Sequence, residues 1–273
     1  MKRPPRFWAR HVDVVADRHG QEFRLQTWGW SDASEAEAAS RAADRIRELM
    51  ARGGPGAAES DWYYPAGPLR EQLIEALGDP ADPTAIVTRN RYGVEVLNTD
   101  AVVIADIDLP EPPRAGVLSR LFSRGTRPDP ADDARVRIGR FASAHPDLGV
   151  HSYRTRAGFR VFVTGSGLAP GDERATALLE ELGSDPLYVT LCRAQASFRA
   201  RLTPKPWRVG HRALAVRWPE EDAAWVRDYE ARCAGYAVCA HEMSSGPAPT
   251  PAEQEILARH DRATIGSTES SLA

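Results

Sequence analysis

Val102-Val-Ile-Ala-Asp-Ile-Asp108 is an apolar run that delivers two carboxylates, two residues apart, at its end. Extended, it sends Ile104, Asp106 and Asp108 to one face and Val103, Ala105, Ile107 and Leu109 to the other. Two acids side by side repel unless a cation lies between them. Beside so much apolar surface, they must either have raised pKa values or hold a metal, and hard oxygen ligands of this kind suit Mg²⁺ or Mn²⁺. The competing reading, a pair of solvated acids at a strand end, is weakened by the apolar residues before them.

Upstream, residues 85–90 and 93–97 read as strands, and the turn Asn98-Thr99-Asp100 leads into the acidic strand. Glu95 could add a third acid, although a solvated strand glutamate explains it as well. Further back, period-two alternation over residues 7–15 and 22–30, around a turn at Asp17-Arg18-His19-Gly20, predicts a hairpin. Ser31 or Ser34 then caps a helix from residue 35 to about 52, which Gly53-Gly54 ends. This β-β-α unit, residues 1–60, is expected to be an accessory cover for the sheet. A second short helix is expected over residues 68–77, after the aromatic cluster Trp62-Tyr63-Tyr64.

Downstream, residues 110–129 are rich in Pro, Gly and Ser around Arg114, Arg120, Arg124 and Arg127. They predict a mobile basic loop that either closes over substrate or is a tolerated insertion. Helix follows at 130–145, then two strands about the turn Arg156-Ala157-Gly158. Alternation there puts Arg160 and Phe162 on one face and Phe159, Val161 and Val163 on the other. Helices are expected at 172–182 and 185–195, and an extended basic stretch at 198–208. Helices at 219–233 and 249–262 precede a polar tail read as disordered. The expected fold is therefore α+β, an antiparallel or mixed sheet flanked by helices, with a core over 61–218 and C-terminal helices and tail over 219–273.

Composition narrows the function classes. A net charge of −3 excludes indiscriminate polyanion binding through bulk charge but leaves room for a local basic surface. No stretch approaches the ~18 apolar residues of a membrane span, and the first residues lack the apolar region of a signal peptide, so a cytosolic location is expected. Cys192, Cys233 and Cys239 are too few for a disulfide framework, and Cys233, Cys239 and His241 lack a fourth ligand and the close spacing of a zinc site. Neither a Gly-x-Ser-x-Gly elbow nor a Walker A loop is present.

Three segments carry chemistry together: the Asp106/Asp108 strand end, the hairpin bearing Arg154, Arg156 and Arg160, and the stretch with Arg199, Arg201, Lys205 and Arg208. Metal-bound carboxylates facing several guanidiniums suit a triphosphate or phosphodiester, so the expected ligands are nucleotides and single-stranded nucleic acid. Tyr153, Phe159, Phe162, Phe198 and Trp207 lie among these cations and either stack on bases or fill the core.

An apolar strand ending Asp-x-Asp, followed some fifty residues later by a hairpin of the form Arg-Thr-x-x-Gly-aromatic-x, resembles the catalytic core of archaeo-eukaryotic primase-polymerases. The resemblance spans roughly residues 85–210. It implies that Asp106 and Asp108 bind catalytic metals and that Arg160 stands where the family places a phosphate-contacting His. Asp185 is a positional candidate for the family's third acid. The implied activity is metal-dependent nucleotidyl or phosphoryl transfer. Two other readings stay open: a non-catalytic nucleotide- or RNA-binding module, and a metal-dependent glycosyltransferase using Asp-x-Asp. The latter is disfavoured by the lack of alternating β-α-β units in the first hundred residues.

Overall fold

The computed structural model describes residues 1–16, 19–52, 68–110, 129–267 and 270–273. The glycine stop at 53–56, the aromatics at 62–64 and almost all of the basic loop at 110–129 lie outside them. Alternation at the N-terminus produces the hairpin β1 (Phe7–Ala16) and β2 (Glu22–Ser31), across which lies α1 (Glu35–Ala51). Of the two serines, Ser34 is the cap, its side chain accepting from the Glu37 amide. Gly29 lets the helix down onto the strand, since a Cβ there would lie 2.0 Å from the Ala38 carbonyl oxygen.

Next come β3 (Gln72–Gly78), β4 (Pro83–Arg89), β5 (Glu95–Thr99) and β6 (Val103–Asp108). After them run α2 (Pro130–Ala144), β7 (Gly149–Thr155), β8 (Gly158–Thr164), α3 (Glu173–Leu182), α4 (Pro186–Gln195) and β9 (Phe198–Arg201). The chain ends with α5 (Ala223–Cys233), β10 (Tyr236–Ala237), β11 (Cys239–Ser245), α6 (Pro251–Thr264) and β12 (Ser271–Leu272). Two four-stranded antiparallel sheets result, in the orders β3-β4-β5-β9 and β11-β7-β8-β6.

From β6 to β9 the chain follows a β-α-β-β-α-α-β course, in which β8 lies between β6 and β7. β9 comes to rest beside β6 but bonds into the other sheet. The Tyr188 hydroxyl spans the seam, donating to the Ile104 carbonyl at 2.7 Å and accepting from the Arg199 amide at 3.1 Å.

Both faces of β6 and β8 are used. Val103, Ala105, Phe159, Val161 and Val163 are fully buried on the side of α2 and α3, whose Ile138, Phe141, Leu179 and Leu182 belong to the same core. On the other face Ile104 and Phe162 are fully buried, and the His260 ring of α6 lies 4.6 Å from that of Phe162. Each such buried apolar side chain contributes roughly 1.5–3 kcal/mol, so the strand carrying the acids is among the best-anchored parts of the chain.

Three expectations need correction. Residues 68–77 contain good helix formers, yet 72–78 pair with β4, because a sheet edge needing a partner outweighs local propensity. The basic stretch 198–208 is extended only over β9 and then closes into a 3-10 turn, Pro206–Val209. The tail is not simply disordered, as β12 runs parallel to β10 and Ala273 is buried with Val209, Trp225 and Tyr229. Among the described residues no helix is long and apolar enough to cross a membrane.

Candidate functional site

Asp106 and Arg160 are direct cross-strand partners in the antiparallel β6/β8 pair, so their side chains leave the same face. Gly158, opposite Asp108, makes this pairing tight: a Cβ there would meet the Ile107 carbonyl oxygen at 1.8 Å. On its free edge β6 is held by the loop between α3 and α4. The Ser184 hydroxyl bonds the amide and carbonyl of Asp106, both at 3.1 Å, and the Asp185 amide donates to the Asp106 carbonyl at 2.9 Å. A third acid is thus brought beside the other two, with one Asp185 carboxylate oxygen capping α4 through the Leu187 amide at 3.1 Å.

Opposite the acids stand the cations at and beyond the end of β9. Asp108 has its pKa raised, first because the protein wall behind it displaces water and then by the charges of Asp106 and Asp185, with Arg201 and Lys205 opposing. Burial lowers the Arg201 pKa, Asp106 counteracts this, and Arg160 and Arg208 push it lower. Lys205 is lowered by burial and then by Arg201 and Arg208, and Arg208 by burial and then by Arg156. These groups feel one another's fields, yet the side chains of Asp106, Asp108, Arg156, Arg201, Lys205 and Arg208 make no hydrogen bond or ion pair with any described residue. Charge left unpaired at this density is costly in a resting protein and is the usual mark of a site shaped for a ligand.

A cavity of about 210 Å³ opens here, lined among others by Asp106, Arg160, Tyr188, Arg199 and Arg201. Two of these arginines are already engaged. Arg199 pairs with both carboxylate oxygens of Glu71, at 2.9 and 2.7 Å, and Glu71 also accepts from the Thr88 hydroxyl at 2.6 Å. Arg160, only 2% exposed, donates to the Arg201 carbonyl at 2.8 Å and contacts His260 Nε2 at 3.1 Å. Its Nε has no partner among the described residues.

The structure therefore brings together Asp106, Asp108, Asp185, Arg201, Lys205 and Arg208, with Arg156 beside Arg208. Arg154 lies elsewhere. Paired with Phe159, it sits on the opposite face, its guanidinium over that ring and bonded to the Thr155 and Gly158 carbonyls at 2.7 and 2.5 Å. Glu95 is bound to Arg89 at 3.0 Å instead of joining the acids. Of the five aromatics, Tyr153, Phe159, Phe162 and Phe198 are core, whereas Trp207 is 53% exposed with Lys205 over its ring. His260, Tyr188, Ser184 and Glu71 escaped the sequence reading, because each reaches the site from a distant segment and carries no local motif.

Among the described residues no three His, Cys, Asp or Glu side chains converge closely enough to enclose an ion. The Asp106/Asp108 pair nonetheless suits Mg²⁺ or Mn²⁺, whose sites commonly use one or two carboxylates and complete the shell with substrate phosphates and water. Comparison with protein-family models, with curated proteins and with solved structures found no match. The class defined by fold and site is an α+β protein with a charged seam between two antiparallel sheets.

Proposed function

We propose that the chain catalyses metal-dependent nucleotidyl or phosphoryl transfer on nucleotides, in the manner of primase-polymerases, with single-stranded nucleic acid as its partner. The supporting observation is the meeting of unpaired Asp106 and Asp108 with unpaired Arg201, Lys205 and Arg208. Asp106 and Asp108 would hold Mg²⁺ or Mn²⁺, with Asp185 as the nearest further acid. The bound ion would supply Lewis-acid stabilisation of phosphoryl oxygens and a lowered pKa for an attacking hydroxyl.

The chain's own residues supply the rest. Arg201, largely enclosed at the end of β9, presents a guanidinium that donates to no described residue, so phosphate binding breaks no bond to one. Lys205 and Arg208 extend the positive surface around the 3-10 turn, and Trp207 offers a ring for a base. Arg160 acts through its neighbours, since its donation to the Arg201 carbonyl fixes the backbone from which Arg201 projects.

A second reading, nucleotide binding without catalysis, is favoured by one observation: Arg160 is turned into the protein and Asp185 is spent on a helix cap. Metal dependence separates the two. Titration of labelled single-stranded DNA, RNA and nucleoside triphosphates with and without Mn²⁺ should show triphosphate binding that the metal strengthens. Binding that ignores the metal, together with absent turnover, would replace the enzymatic reading with the second.

A further inference from the structure

A second cavity, of about 290 Å³, shares Asn90 with the first and is lined by residues around α5 and β3. Its cations are Arg70, Arg89, Arg91, Arg217 and Arg227, and its acids Glu220, Glu221 and Asp222. Most of the acids are committed. Asp222 caps α5 through the Trp225 amide at 2.9 Å, and Glu221 accepts from Gln72 at 2.8 Å. Arg89 is tied to Glu95 and Glu230, at 3.0 and 3.2 Å.

Arg70 and Arg217 are not committed. Neither guanidinium makes a hydrogen bond or ion pair with a described residue, and Arg70, its pKa lowered first by burial, lies in the repulsive field of Arg217, with Glu220 opposing. Arg70 stacks on the Trp28 ring of β2 at 4.0 Å, which occupies a face of the guanidinium and leaves its N–H edge to donate. The N-terminal hairpin thus positions a cation for this cavity. The apolar part of the lining is built on Trp218, Leu214, Val226 and an Ile74 that is 40% exposed, beside the polar Gln72, Asn90, Arg91 and Arg227. The neighbouring guanidiniums of Arg70 and Arg217 suit a phosphate, and the apolar part of the lining suits a base. The volume lies near the lower end, ~300 Å³, of small-molecule pockets and so matches one nucleotide unit in preference to two.

We propose that this cavity binds a nucleoside monophosphate unit without metal, its phosphate on Arg70 and Arg217 and its base against Trp218 and Ile74. The proposal stands apart from the Asp106 site and does not depend on catalysis there. The unit could arrive as free nucleotide or as the 5′-phosphorylated end of a strand, which present the same chemistry.

Calorimetric titration of the full chain in EDTA at low salt, with AMP, adenosine, inorganic phosphate and a short oligothymidylate with or without a 5′-phosphate, tests it. AMP should bind at least tenfold more tightly than adenosine or phosphate alone. Arg70→Gln and Arg217→Ala should each weaken AMP at least tenfold, while Asp106→Asn with Asp108→Asn, and Arg201→Ala, leave it unchanged. Arg217 is exposed and its side chain bonds to no described residue, so its variant should fold even if the Arg70 variant does not. A 5′-phosphorylated oligonucleotide matching AMP, with its 5′-hydroxyl form weaker, assigns a strand end; AMP binding alone assigns the free nucleotide. AMP affinity that survives Arg217→Ala but falls with Arg201→Ala would move the nucleotide to the first cavity and overturn the proposal, as would equal binding of AMP and adenosine.

Discussion

Arg199 and Arg201 sit two residues apart on one face of β9, yet the structure gives them opposite roles, and truncating each to alanine should separate those roles. Glu71 is buried and accepts at both carboxylate oxygens from Arg199 Nη2, while Arg199 Nη1 donates to Gln195. Arg199→Ala leaves that carboxylate buried with only the Thr88 hydroxyl to stabilise it, and breaking such a pair from one side costs roughly 3–5 kcal/mol. For a chain of this size the melting temperature should fall by roughly 6–20 °C. The Arg201 side chain has no bonded partner among the described residues, so Arg201→Ala should change stability by no more than ~1 kcal/mol, while nucleoside triphosphate binding weakens roughly 10- to 100-fold through loss of a charged hydrogen bond worth ~1.5–3 kcal/mol. Urea denaturation followed by circular dichroism, with triphosphate titration in Mn²⁺, reads both quantities. A Glu71→Gln/Arg199→Ala double variant, measured beside Glu71→Gln alone, closes the cycle and should recover part of the Arg199→Ala loss. Equal stability losses for Arg199→Ala and Arg201→Ala, or an Arg201→Ala protein with undiminished affinity, would refute the division.

Asp106→Asn with Asp108→Asn should abolish metal-dependent binding and turnover; because burial, and then repulsion from Asp106 and Asp185, raises the Asp108 pKa, its neutralisation should leave the metal-free melting temperature at or above that of the parent, and a marked fall would count against the unpaired-acid description. Tyr188→Phe removes the hydroxyl joining the two sheets and should cost roughly 1–3 kcal/mol, with a loss of triphosphate affinity that calorimetry would detect. His260 is buried and neutral, its pKa pushed down to about 4 by burial against ~6.5 in the unfolded chain. Its contribution is therefore complete above pH ~6.5 and is lost as pH falls toward 4, by up to ~1.4 kcal/mol per pH unit. His260→Gln should flatten that part of the stability-pH curve, and an unchanged acid slope would show that other groups set it.

Where side chains alternate between apolar and polar, the sequence was a good guide. β1, β2, β6 and β8 follow from period two, and the common face of Asp106 and Arg160 follows from the same count once β6 and β8 pair. Helices with a capping residue and an inner apolar stripe, such as α2 behind Asp129, were equally legible. β3 was not, because its edge position leaves Leu73 and Ile74 exposed and erases the alternation a strand would show. β11 was missed for a similar reason, as Cys239-Ala-His-Glu-Met-Ser-Ser245 has almost no buried face and owes its form to the β7 edge it covers. Within the site the charged residues were visible but their pairing states were not. Whether an arginine is free depends on partners such as Glu71 and His260, which lie 128 and 100 residues away along the chain.

The first sheet recruits its last strand late. Phe198 of β9 sits opposite Thr99 of β5, so the edge of β5 cannot be closed until nearly a hundred further residues have been added. Those residues build the whole of the second sheet's β6, β7 and β8 together with α2, α3 and α4. Loop closure over so long a separation is entropically slow, and it places β9 among the last elements to dock. The carboxylates belong to a unit that can assemble from its own contiguous segment, whereas the guanidinium of Arg201 arrives with the strand that locks the two sheets together. Opposite charges therefore face each other only in the fully folded chain, and a partly folded intermediate carries the acids without their counterpart.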